Sequence, residues 1–130
     1  MNILIAYEGT PAGQVALEYA KKHVKAQQDK IFLVTSLFGG TKTPLDVMED
    51  AKKTLEDVTK DLENSGFSCE HHLLVRGADP GEDIVQFAQE IKADEIIISI
   101  KKKSKVAKFL LGSNAQYIIL QAPCPVIAVK

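Results

Sequence analysis

The sequence predicts an α/β protein: one doubly wound, five-stranded parallel sheet with helices on both faces. Two observations lead there. Five apolar runs, at residues 2–7, 31–36, 68–75, 95–100 and 126–129, are separated by stretches of helical periodicity. Four of these runs are continuous blocks rich in Ile, Val and Leu, the pattern of strands buried on both faces. Strand and helix in regular succession mean parallel βαβ units with right-handed crossovers. The length of 130 residues suits a single domain, 1–130, and is too short for a barrel of roughly 250 residues.

The first run, Ile3-Leu4-Ile5-Ala6, has no basic region before it, so it reads as a buried strand and not as a signal peptide. Thr10 caps the first helix and Pro11 takes its first position, where a missing N–H costs little. Val15, Ala16, Tyr19, Ala20, His23 and Val24 follow at helical spacing. The second helix opens at Thr43-Pro44 and carries the stripe Met48, Ala51, Leu55, Val58, Leu62. Asn64-Ser65-Gly66 ends it in a left-handed cap. The third run, at 68–75, is mixed at its start, as expected of a strand nearer an edge. The third helix opens at Asp79-Pro80, with Glu82 placed to close a capping box and Ile84, Ala88 and Ile91 as its buried face. The fourth follows Gly112, with Ser113 and Gln116 as a second box. It runs to about Gln121, and Pro123 and Pro125 prevent its continuation.

Composition narrows the function. The net charge is −1, with 45% hydrophobic and 25% charged residues, so nothing draws the whole molecule to nucleic acid or acidic lipid. No apolar run approaches the ~20 residues of a membrane span. Two cysteines, Cys69 and Cys124, are too few for a disulfide scaffold or a four-cysteine zinc site. A cytoplasmic protein is expected. Cys69 and His71 share a strand face, but two ligands do not make a zinc site, and consecutive His71 and His72 point to opposite faces. Ser104 and Ser113 lack a nucleophile elbow, and no Walker A pattern is present.

In an open parallel sheet, ligands bind beyond the carboxyl ends of the strands at the topological switch point. The segments to search are 7–11, 36–43, 76–80 and 100–113. The last is the most informative. It leaves the fourth strand, passes Lys101, Lys102, Lys103, Lys105 and Lys108, and enters a helix at Gly112-Ser113-Asn114. A helix N-terminus offers unpaired N–H groups to a phosphate, and a glycine there lets backbone approach a ligand. A solvated loop followed by an ordinary helix cap explains the same residues.

The segment Phe109-Leu110-Leu111-Gly112-Ser113-Asn114-Ala115-Gln116, followed by Ala122-Pro123-Cys124-Pro125-Val126, resembles the C-terminal signature of the universal stress protein family. The opening Ile3-Leu4-Ile5-Ala6-Tyr7-Glu8-Gly9-Thr10 and the middle Val75-Arg76-Gly77 agree, so the resemblance covers the whole chain in order. It implies strand order 3-2-1-4-5 and a homodimer joined through the last strand, Val126, Ile127, Ala128 and Val129, with Ile127 the position at which proline would test the pairing.

Many members bind ATP through a loop written G-x2-G-x9-G-(S/T). Here Ser99 and Lys102 stand at the first two glycines, and only Gly112 and Ser113 remain. Lys102 adds a Cβ, but its ammonium can also pair with phosphate. Glu8 stands where ATP-binding relatives usually carry Asp; its carboxylate could hold a ribose hydroxyl or help a Mg²⁺ ion, or could instead cap the first helix or pair with a loop lysine. Backbone near Ala6 and Ser36 would face the adenine. Two readings follow. One is an adenine-nucleotide sensor with a degenerate phosphate loop, using Ala6, Glu8, Ser36, Ser99, Lys102, Gly112, Ser113 and Asn114, with no catalytic residue. The other is a dimeric interaction module that does not bind ATP, in which Ser99 and Lys102 fill the phosphate space. Slow ATP hydrolysis ranks last, because no water-activating base, metal-ligand set and charge clamp are legible together.

Overall fold

A computed structural model describes residues 1–8, 11–40, 43–100 and 111–130, and of residues 11 and 12 the backbone alone. The elements are β1 (Asn2–Ala6), α1 (Pro11–His23), β2 (Lys30–Ser36), α2 (Leu45–Asn64), β3 (Ser68–Leu74), α3 (Pro80–Glu90), β4 (Glu95–Ser99), α4 (Ser113–Gln121) and β5 (Val126–Val129). They form one five-stranded sheet in the order β3-β2-β1-β4-β5, and all its strand pairs are parallel. Each strand ends within one residue of its predicted end, and β3 is an edge strand as its mixed composition suggested.

Alternate residues of each strand feed two cores. Ile3, Ile5 and Tyr7 of the first strand and its extension pack with Ala16, Leu17 and Ala20 of α1 and Leu55 and Leu62 of α2. Leu4, Phe32, Val34, Ile96 and Ile98 pack on the other face with Ile84, Phe87 and Ala88 of α3 and Ile118 of α4. Burial on both faces is why the strands read as unbroken apolar runs.

The helix ends depart from the sequence reading in instructive ways. Gly66, at φ 93°, ends α2 as expected, with Phe67 N–H donating to the Leu62 carbonyl at 3.0 Å. At its start, α2 begins one residue after Pro44, because the Thr43 hydroxyl is taken by the Gly39 N–H at 3.0 Å and caps nothing. Within α2 only Leu55, Thr59 and Leu62 are fully buried. Met48, Ala51 and Val58 are half-covered, since this helix lies largely over the edge strand β3. Neither capping box forms. Asp79 holds the N-cap of α3 without a side-chain bond, and Gly112, not Ser113, is the N-cap of α4. Gln116 donates to the Leu111 carbonyl at 2.9 Å instead. Ile91 is the C-cap of α3 and only half-buried. The Thr10 cap lies outside the described residues.

One core feature was not expected. Asp83, on α3, is completely buried. Its Oδ1 takes the Arg76 Nε–H at 2.6 Å and its Oδ2 takes the Ser36 hydroxyl at 3.0 Å. Arg76 Nη1 reaches on to both oxygens of Glu90, at 2.9 and 3.1 Å. Burial pulls the Arg76 pKa down, but the bonds and charges of Asp83 and Glu90 outweigh it and hold it up.

The register of β5 corrects the choice of test residue. Ile96 N–H bonds the Pro125 carbonyl and Ile100 N–H bonds the Val129 carbonyl. In a parallel ladder, alternate residues bond to alternate sides, so the backbone groups of Ile127 face β4. Those of Val126 and Ala128 face the open edge. A proline at 127 would therefore break the internal ladder rather than probe an interface.

Replacing Arg76 by Leu strands the buried Asp83 carboxylate and is expected to cost about 3 kcal/mol in urea unfolding. Replacing both residues by leucine should cost less than the sum of the single changes. Additive losses would show that the two side chains do not act as a pair.

Candidate functional site

The sheet order reverses between β1 and β4. Helices leave that point to opposite faces, and a crevice opens at the carboxyl ends of these strands. It has two lobes. The first, of about 260 Å³, lies among Ala6, Val34, Ser36, Pro80, Ile84 and Ile118. The second, of about 270 Å³, lies among Ser99, Ile100, Gly112, Ser113 and Ala115. Glu8 and Asn114 line both lobes and also the narrow space of about 50 Å³ between them. Together the lobes fall within the size of small-molecule sites, about 300–1,000 Å³.

The lobes differ in chemistry. The first is walled by aliphatic side chains from β2, α3 and α4, with the Ser36 hydroxyl among them. The second is walled by the start of α4, whose N-cap, Gly112, has no side chain to bond the first-turn N–H groups. These groups and the helix dipole favour an anion. Gly112 sits at φ −63°, so no left-handed conformation requires glycine there. A Cβ on it would meet no atom of the described residues within 4 Å. Its missing side chain leaves room in the crevice itself.

Seven of the eight residues expected at a ligand site surround this crevice: Ala6, Glu8, Ser36, Ser99, Gly112, Ser113 and Asn114. Lys102, with the other lysines of 101–110, lies outside the described residues. Asn114 plays a more particular part than expected. Its Oδ1 accepts the Gly81 N–H at 2.9 Å, so it caps α3 from the first turn of α4. That bond does the work assigned to Asp79 and Glu82. It spends the carboxamide oxygen and leaves the Nδ2 side of the amide for a ligand.

Sequence reasoning missed Gly81, Ile84 and Ile118 as lining residues, and Asp83 behind them. The Pro80-Gly81 pair after β3 was the available signal for the first. A Cβ on Gly81 would lie 3.0 Å from the Asn114 Cα and carbonyl oxygen, so glycine lets the two helix starts meet.

The remaining candidates stay structural. Burial first, then the nearby Glu63 and Glu70 charges, push the Cys69 thiol up to about 11, against its weak bond to the Thr59 hydroxyl. Burial and the charges of Asp94 and Glu95 also raise Cys124. Neither is a thiolate nucleophile near neutral pH. His72 pairs with Glu70 at 3.0 Å and packs on Phe87 at 4.7 Å between ring centres. Among the described residues, no three His, Cys, Asp or Glu side chains cluster to hold a metal ion. Among them too, no helix is long and apolar enough to cross a membrane.

Three comparisons bear on the identity of this arrangement. The universal stress protein family model matches residues 1–130. A universal stress protein of Mycolicibacterium smegmatis is 30% identical over 132 residues, spanning 98% of this chain and 96% of that protein. A solved universal stress protein from Archaeoglobus fulgidus superposes with a TM-score of 0.89 at 36% identity, covering 100% of this chain and 98% of the other. A structure of the universal stress protein from Archaeoglobus fulgidus in complex with dAMP gives a TM-score of 0.83 at 34% identity, again covering 100% and 98%.

Gly81→Ala should force the starts of α3 and α4 apart. The expected loss is about 1–3 kcal/mol by chemical denaturation, as for overpacking elsewhere. Wild-type stability would mean the two helix starts are not held as described.

Proposed function

We propose that this chain, which belongs to the universal stress protein family, binds an adenine nucleotide in the crevice between β1 and β4. The observation that supports this best is the division of the crevice. An aliphatic lobe suited to a flat base adjoins a lobe at a glycine-capped helix start suited to phosphate. The Archaeoglobus fulgidus relative in complex with dAMP supports the same ligand class.

In this reading the base enters beside Ala6 and Ser36, against Ile84 and Ile118. Phosphate meets the N–H groups of the first turn of α4, with Ser113 and the Asn114 Nδ2 as further donors. Gly112 permits the close approach, Ser99 lines the opposite wall, and Lys102 supplies charge from the neighbouring segment. Glu8 stands at the junction of the lobes, placed for a ribose hydroxyl or for a Mg²⁺ ion carried by the phosphates. The role is that of a small-ligand sensor in a stress response.

A second reading concerns assembly, and the open edge of β5 favours it. Among the described strands, β5 pairs with β4 alone, so the outward groups of Val126 and Ala128 offer a template to a second copy. The proposed homodimer would join through Val126, Ile127, Ala128 and Val129, with the backbone bonds coming from Val126 and Ala128.

Two measurements test these readings. In a thermal-shift titration backed by calorimetry, ATP or AMP with Mg²⁺ at 100 times its Kd should stabilise the protein by about 2.7 kcal/mol. Gly112→Asp places bulk and negative charge in the phosphate lobe and should abolish that response while unliganded stability is checked in parallel. A nucleotide response unchanged by the substitution, or no response at millimolar nucleotide, would overturn the site. For the assembly, Ala128→Pro removes an outward donor without touching the β4 ladder and should yield monomer by light scattering. Dimer mass that survives it would place the interface elsewhere.

A further inference from the structure

The Ser36 hydroxyl is held in one orientation by groups behind the site. Its oxygen lies 3.0 Å from Asp83 Oδ2. Asp83 is completely buried, and its other oxygen is paired with Arg76 Nε at 2.6 Å. A carboxylate salt-bridged to a guanidinium has no proton to give and only accepts. The hydroxyl proton must therefore point at Asp83. A serine hydroxyl has one donor and two lone pairs, so Ser36 turns only lone pairs to anything else.

Ser36 also lines the aliphatic lobe. Its side chain is on the same face of β2 as Val34 and Phe32, which is the face covered by α3 and α4. Val34, Leu37, Ile84 and Ile118 make much of that lobe's wall aliphatic, and Tyr7, Glu8, Thr35 and Asn114 also line it. A polar group fixed as an acceptor in such surroundings discriminates sharply, because a second acceptor set against it leaves both without a proton.

We infer that Ser36 is a specificity-determining residue that reads an N–H donor on the ligand's base, and that Asp83 is the positioning residue which fixes it as an acceptor. This rests on the adenine-nucleotide reading. The ligand class is a purine bearing an amino group at position 6, and the class rejected bears a carbonyl there. Arg76, bound in turn to Glu90, completes the chain by holding Asp83 in place.

The test is calorimetric titration of wild type, Ser36→Ala and Asp83→Asn with AMP and with IMP, which differ at position 6. Wild type should bind AMP the more tightly. Ser36→Ala should lose about fivefold in AMP affinity, the worth of one hydrogen bond, with little loss for IMP. Asp83→Asn keeps an oxygen for Arg76 and sets an N–H₂ donor against the Ser36 oxygen. The hydroxyl proton is then free to turn to the ligand, and IMP should gain relative to AMP. A purely structural role for Asp83 would weaken both nucleotides alike. Thermal melts of the free variants report folding, and Ser36→Ala decides the matter alone if Asp83→Asn fails to fold. An AMP-to-IMP ratio unchanged in Ser36→Ala overturns this inference and leaves the nucleotide site standing. Wild type that binds neither nucleotide at millimolar concentration overturns both.

Discussion

Parallel neighbours cannot be joined by a tight turn, and this constraint shapes the molecule. Each strand must send the chain back across a sheet face before the next begins. Four helices therefore cover two faces, and the carboxyl ends of all five strands gather on one side. Because the order reverses at β1, the crossovers on its two flanks leave in opposite directions and do not fill the space above it. The crevice is what remains.

Two polar contacts then hold that crevice in shape. Asn114 joins the starts of α3 and α4 through the Gly81 N–H, which is possible only because residue 81 has no side chain. Asp83 ties α3 to the end of β2 through Ser36 and to the β3–α3 turn through Arg76. The Asn114–Gly81 and Asp83–Ser36 bonds join segments that lie far apart in sequence and meet beside the aliphatic lobe. A ligand there would find walls already fixed, which lowers the ordering cost of binding.

Much of the fold was legible in the sequence, because continuous Ile, Val and Leu blocks report burial on both faces and the helical stripes between them report crossovers. The crevice's location followed from the topology, and the resemblance in Gly112-Ser113-Asn114 pointed to the residues of one of its walls. What escaped was polar and long-range. Asp83 reads as a surface residue, since an isolated aspartate is rarely buried. Its partners Ser36 and Arg76 are named by no local pattern. The capping boxes were sound as local chemistry, yet Asn114 from another helix took over the cap of α3, and the Thr43 hydroxyl was drawn to Gly39. The outward residues of β5 depend on register, so periodicity alone could not tell Ile127 from Ala128.

The central claim is that base and phosphate occupy the two lobes of this crevice. An NMR titration of isotope-labelled protein with AMP tests it most directly, because each backbone amide reports separately. The backbone amides of Ser113, Asn114 and Ala115 and those near Ser36 and Ile84 should shift together and saturate with one affinity. Shifts confined to another surface, or none at millimolar AMP, would contradict it.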